Sequence, residues 1–86
     1  MEIIYDGPVP PHKQIAAWLR TRIESGEFSP NQRVPAETAI VQEWGVARTT
    51  ARRAVAVLRD EGLVYTIQAR GTFVSAERQE RSPEGS

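Results

Sequence analysis

The densest run of groups able to do chemistry is Glu43-Trp44-Gly45-Val46-Ala47-Arg48-Thr49-Thr50-Ala51-Arg52-Arg53. From Arg48 to Arg53 it sets guanidiniums beside short hydroxyls. A guanidinium makes paired hydrogen bonds to guanine O6 and N7 or to a phosphate, and a threonine offers a hydroxyl together with a methyl that can meet thymine. At about 100° per residue, Ala51, Ala54, Val55 and Leu58 mark one buried helical face. Thr49 and Arg53 then point away from it, with Thr50 and Arg52 on the flanks. Arg48 lies nearer the buried side, but in a first turn, where a long side chain reaches past the helix end. The ordinary alternative is a solvated polar face. Two features weigh against that alternative. First turns favour acidic side chains, and this one holds only arginine and threonine. Glycine on both sides, Gly45 and Gly62, also makes a helix-turn-helix instead of an isolated helix. Phosphate is further attracted by the free N–H groups of a helix start.

The surrounding elements must hold this ridge outward. Pro8-Val9-Pro10-Pro11 blocks regular structure and then supplies a helix start. A first helix is predicted from His12 to Ser25 with Ile15, Trp18, Leu19 and Ile23 on one face and Gly26 just beyond its end. Ser29-Pro30-Asn31-Gln32 is turn chemistry, closed by Val34-Pro35. A second helix fits Ala36 to Trp44, with Ile40, Val41 and Trp44 inward and Gly45 ending it, and a third runs from Ala47 to Glu61 until Gly62. Between these two, only a sharp turn fits, with Val46 plugging the angle. The period then changes: Leu63–Gln68 and Thr72–Val74 are rich in β-branched and aromatic residues, and Ala69-Arg70-Gly71 reads as the hairpin loop. Ile15, Leu19, Ile23, Ile40, Val41, Val55, Leu58, Leu63 and Phe73 are the expected core. The fold class is mainly α with a small β-hairpin. Residues 1–9 form an N-terminal extension, residues 10–75 the domain, and residues 76–86, poor in apolar side chains, a flexible tail or linker.

Composition narrows the function. The chain has 86 residues, 40% hydrophobic and 26% charged, an ordinary globular profile for one domain. Its longest apolar run, Ala54–Leu58, is five residues, far short of the roughly 20 that span a bilayer, and no secretory leader is visible. Without cysteine there is no disulfide framework, thiol nucleophile or zinc finger. A cytoplasmic location is expected. The formal net charge is zero, with 11 basic and 11 acidic residues, but the distribution is uneven. Residues 1–46 sum to −2, residues 47–75 to +3 and residues 76–86 to −1. A local basic field attracts a polyanion even when the total vanishes.

Six blocks in order make the chain resemble the DNA-binding domain of the gluconate-repressor (GntR) family of bacterial transcription regulators. They are Gln14-Ile15-Ala16, Ile23-Glu24-Ser25-Gly26-Glu27-Phe28, Arg33-Val34-Pro35-Ala36-Glu37, Gly45 through Arg52, Leu58-Arg59-Asp60-Glu61-Gly62-Leu63-Val64, and Arg70-Gly71-Thr72-Phe73-Val74. The resemblance implies a three-helix winged helix-turn-helix on operator DNA, with the third helix in the major groove and the hairpin near the minor groove or backbone. Carried over by position, Arg48, Thr49, Thr50 and Arg52 match the recognition-helix contacts, and Arg70 and Gly71 match the wing tip. Gln68 stands beside that tip and is counted with them. Thr38 holds a position where the family often has arginine. Arg53 replaces a frequent glutamate and adds positive charge to the reading face. Ala36 and Ala47 stand where a serine or threonine commonly caps a helix, Val41 replaces an alanine, and Asn31 replaces a loop glycine. The resemblance further implies a repressor that occludes a promoter, two copies on an inverted repeat, and an effector bound by a C-terminal domain outside this stretch.

Other residues read more plainly. Trp18, Trp44, Tyr65 and Phe73 could form a base-stacking platform, but Trp18 falls at core spacing and Phe73 is expected on the inner hairpin face. His12 lacks the partners a metal site needs, so no metal or cofactor is expected. Asp60 and Glu61 point different ways at a helix end, and no catalytic motif is present, so no enzyme activity is expected. Two rival readings are a winged helix that binds another protein through Trp18 or Tyr65, and a nonspecific DNA binder.

Overall fold

The computed structural model describes residues 2–35 and 37–76. Five elements follow in order: α1 (Pro11–Glu24), α2 (Glu37–Trp44), α3 (Arg48–Asp60), β1 (Val64–Ile67) and β2 (Gly71–Val74). They match the predicted helix, helix, helix, hairpin order, with ends that differ by a residue or two. The expected tail lies outside the described residues except for Ala76, as does Ala36 at the expected start of the second helix.

α1 starts on Pro11, directly after Pro10 at the cap position, where the missing proline N–H costs nothing. It closes with the Glu27 N–H donating to the Arg22 carbonyl and Gly26 to Ile23, at 3.1 Å each. α3 closes the same way, Leu63 donating to Leu58 and Gly62 to Arg59, both at 3.0 Å. This paired motif satisfies carbonyls the helix leaves open. In α3 it also folds the Leu63 side chain back onto the core. Arg20 joins the two helices. Its Nε and Nη2 donate to the Glu61 carboxylate at 2.8 and 2.6 Å. That hydrogen bond raises the Arg20 pKa above its usual value, against the opposing effect of burial.

Ile15, Ala16, Leu19 and Ile23 of α1, Ile40 of α2, and Ala51, Ala54, Val55 and Leu58 of α3 form one buried cluster. Val46 sits buried in the angle between α2 and α3, as its position in the sequence predicts. Trp18 and Trp44 meet edge to face, 5.2 Å between centroids, and pack partly buried on the cluster's side. Gly45 makes the turn: its φ of +67° lies in the left-handed region that side chains disfavour.

β1 and β2 pair antiparallel, Val64 opposite Val74 and Ile67 opposite Gly71. The inward face differs from the sequence expectation. Val64, Thr72 and Val74 are buried, whereas Phe73 is only half-buried and stacks on Tyr65 at 5.6 Å on the opposite face. Side chains alternate along a strand, so placing Val74 in the core turns Phe73 outward. Residues 31–34, read from the sequence as a turn, also pair with the hairpin. Asn31 and Val34 donate to the carbonyls of Val74 and Thr72, Val74 donates to Gln32, and Arg33 bridges Phe73. The wing is thus stitched to the connection before α2 as well as packed on the helices.

Val74→Ala is expected to cost about 2 kcal/mol because Val74 is fully buried. Urea unfolding followed by circular dichroism measures it.

Candidate nucleic-acid interface

α3 buries its apolar face so completely that its other side is committed to solvent. Ala51 and Ala54 are 0% exposed and Leu58 is 2%. Arg48, Thr49, Arg52 and Arg53 are exposed and Thr50 is half-buried, as the helical spacing predicts. Ala47 supplies no side-chain cap, and the first turn holds no acid. The free N–H groups at this helix start and the guanidiniums around it make one electropositive end.

A second basic surface continues from this end. Arg33, Arg48, Arg59 and Arg70 line an open cleft between α3 and the hairpin, with Thr38, Thr66, Gly71 and Thr72 and one acid, Glu37. The cleft brings together four of the residues singled out from the sequence: Thr38, Arg48, Arg70 and Gly71. Thr49, Arg52 and Arg53 stand on the adjoining ridge, and Gln68 is exposed in the hairpin loop. Thr38 has a concrete neighbour, since Arg48 Nη1 approaches its hydroxyl at 3.5 Å.

Five residues of the site were not found by sequence reasoning: Glu37, Arg59, Thr66, Thr72 and Arg33. Glu37 lies 3.5 Å from Arg48 and 3.3 Å from Arg52, so one carboxylate faces two guanidiniums of the ridge. Arg59 donates to the Thr66 hydroxyl at 2.9 Å, and Thr66 and Thr72 hydroxyls meet at 3.2 Å across the strands. Arg33 reaches from the connection to the hairpin loop, donating to the Arg70 carbonyl at 2.5 Å. These contacts join distant parts of the chain, and spacing alone gives no sign of them. The anchors that a protein-binding reading requires are only half-exposed: Trp18 packs on Trp44 and Tyr65 on Phe73. Among the described residues no group of His, Cys, Asp and Glu could hold a metal ion, and no helix is long and apolar enough to cross a membrane.

A family model described as bacterial regulatory proteins, gntR family, matches residues 11–74. The chain belongs to the gntR family. A curated relative in this family, the HTH-type transcriptional repressor NagR of Bacillus subtilis, is 38% identical over 85 residues, covering 99% of this chain and 35% of the relative. The mannosyl-D-glycerate transport/metabolism system repressor MngR of Escherichia coli is 39% identical over 72 residues, covering 84% and 30%. The chain therefore spans about a third of the length of these curated relatives. Among solved structures, AraR(DBD) in complex with operator ORX1 superposes with a TM-score of 0.78 at 34% identity, over 87% of this chain and 96% of that one. YtrA from Sulfolobus acidocaldarius, a GntR-family transcription factor, gives 0.76 at 28% identity over 92% and 85%. The gntR-family winged helix is thus the fold of this chain.

The Glu37 carboxylate holds Arg48 and Arg52 by charge, and its own negative charge opposes any phosphate brought to them. Glu37→Gln is expected to tighten binding to a random-sequence duplex by about 2–5-fold at low salt. Fluorescence anisotropy of a labelled duplex measures the change.

Proposed function

We propose that this chain binds operator DNA as the reading head of a transcription repressor. The observation that carries the proposal is the exposed ridge of Thr49, Arg52 and Arg53, continuous through Arg48 with the basic cleft beneath the hairpin. The width of a B-DNA major groove admits one α-helix, and side chains near the helix start are those that reach base edges. In this arrangement α3 lies in the groove, with Arg48 and Arg52 hydrogen-bonding base edges or phosphates and Thr49 and Thr50 adding hydroxyl and methyl contacts. Arg53 faces outward beside them as a further donor. Arg70, with Gln68 and Gly71 at the hairpin tip, meets the adjacent minor groove or backbone. Thr38 supports Arg48 from α2.

The relatives' names as repressors and the operator complex of AraR(DBD) support this reading. Repression follows from occupancy: a duplex held across the promoter excludes the polymerase. Two copies bind an inverted repeat, one half-site each, in the cytoplasm. An effector acts through sequence outside this stretch, and the binding needs no cofactor.

Selection of bound duplexes from a random pool tests the proposal. One enriched motif is expected, with affinity falling steeply as salt rises because phosphate contacts release counterions. Arg52→Ala is expected to cost about 1–3 kcal/mol on that motif and to relax the preference at its contacted base. Equal binding of selected and random duplexes would contradict sequence reading.

A further inference from the structure

The hairpin loop has little of its own to hold it. Ile67, Gln68, Ala69 and Arg70 are all exposed, so no apolar burial fixes the tip. Its turn is closed by the Arg70 N–H donating to the Ile67 carbonyl at 2.9 Å. Ala69, the third residue of that turn, has φ of +69°, a left-handed conformation that a side chain disfavours. Among the described residues, the only hydrogen bond reaching residues 68–70 from outside the hairpin comes from Arg33.

Arg33 is itself held on both sides. Its backbone bridges Phe73, and the neighbouring Val34 N–H and Gln32 carbonyl pair with Thr72 and Val74 at 2.9 Å each. From this fixed base the side chain crosses beneath the tip, where Nη2 meets the Arg70 carbonyl. The guanidinium lies against the Gly71 backbone. A Cβ on Gly71 would stand 2.7 Å from Nε and 3.2 Å from Nη2 and push the guanidinium aside, and Gly71 has φ of +129°, a conformation that side chains disfavour. Gly71 thus opens a slot that the planar guanidinium fills.

We propose that Arg33 is the positioning residue of the wing tip: it fixes where Arg70 and the loop stand, and so sets the preference for base pairs flanking those read by α3. This rests on the operator reading above. A planar fork presents its donors in fixed directions, which the single ammonium of lysine does not reproduce.

The test is duplex selection with the whole chain, as wild type, Arg33→Ala and Arg33→Lys, followed by salt titration on the wild-type motif. Both variants are expected to keep the central preference and lose about 5-fold or more in discrimination at the flanking pairs. Arg33→Lys is expected to retain the wild-type salt slope. In the unaltered chain, the Arg33 guanidinium protons are expected to exchange with water more slowly than those of exposed Arg53. That measurement by nuclear magnetic resonance decides the anchor even if a variant fails to fold. Equal exchange at Arg33 and Arg53 overturns the proposal. So does Arg33→Lys with wild-type flanking preference, because charge alone would then suffice. Uniform loss by Arg33→Ala on every duplex, with a salt slope smaller by about one, marks a direct phosphate contact and also overturns it. A wild-type selection without an enriched motif overturns the operator reading and this proposal together. A wild-type motif that Arg33→Ala leaves whole overturns this proposal alone.

Discussion

The apolar seam of α3 governs which way every functional side chain faces. Ala51, Ala54, Val55 and Leu58 pack into the cluster built by Ile15, Leu19 and Ile23 of α1 and by Ile40 of α2. Turning α3 about its axis by one residue, about 100°, would lift Val55 or Leu58 into water, at about 1.5–3 kcal/mol per side chain. It would also press Arg52 or Thr50 into the core, where an unpaired charge costs far more. The two alanines let the helices approach closely. Packing of the hidden face therefore sets the direction of the exposed one, and the arginines need no contacts of their own to point outward.

The hairpin extends that surface by a different means. Val64 and Val74 seat it on the helices, the segment 31–34 pairs along β2, and Arg59 reaches Thr66 from α3. Its tip projects beyond all of this packing. Charge follows the same division of labour. A chain of zero formal net charge gathers Arg33, Arg48, Arg59 and Arg70 around one cleft, while residues 1–46 and 76–86 carry net charges of −2 and −1. Attraction of a polyanion depends on the local field, which the total does not report. Glu37 is the exception inside the site, where one carboxylate tempers two guanidiniums.

Much of this was legible in the residue order because the governing patterns are local. Helical periodicity placed the ridge of α3 and its buried face, and glycines at 26, 45 and 62 marked the ends of all three helices. Phe73 was misplaced because a strand of four residues offers too few positions to fix the phase of an alternation. The core instead took the smaller Val74, leaving Phe73 to stack on Tyr65. Pairing of residues 31–34 with β2 left no mark, since it depends on a long-range backbone register within a sequence that reads as turn. Glu37, Arg59 and Arg33 were missed for the same reason: their partners lie 11 or 15, 7 and 37 residues away, across folds in the chain.

The most direct measurement of the central claim is amide chemical-shift mapping of the chain as a duplex carrying its selected motif is titrated in. The account predicts that the largest changes fall on residues 48–53 and on the tip at Gln68, Arg70 and Gly71, with the Trp18–Trp44 side nearly unchanged. Changes centred on Trp18, Trp44 or Tyr65, with the α3 ridge silent, would contradict it.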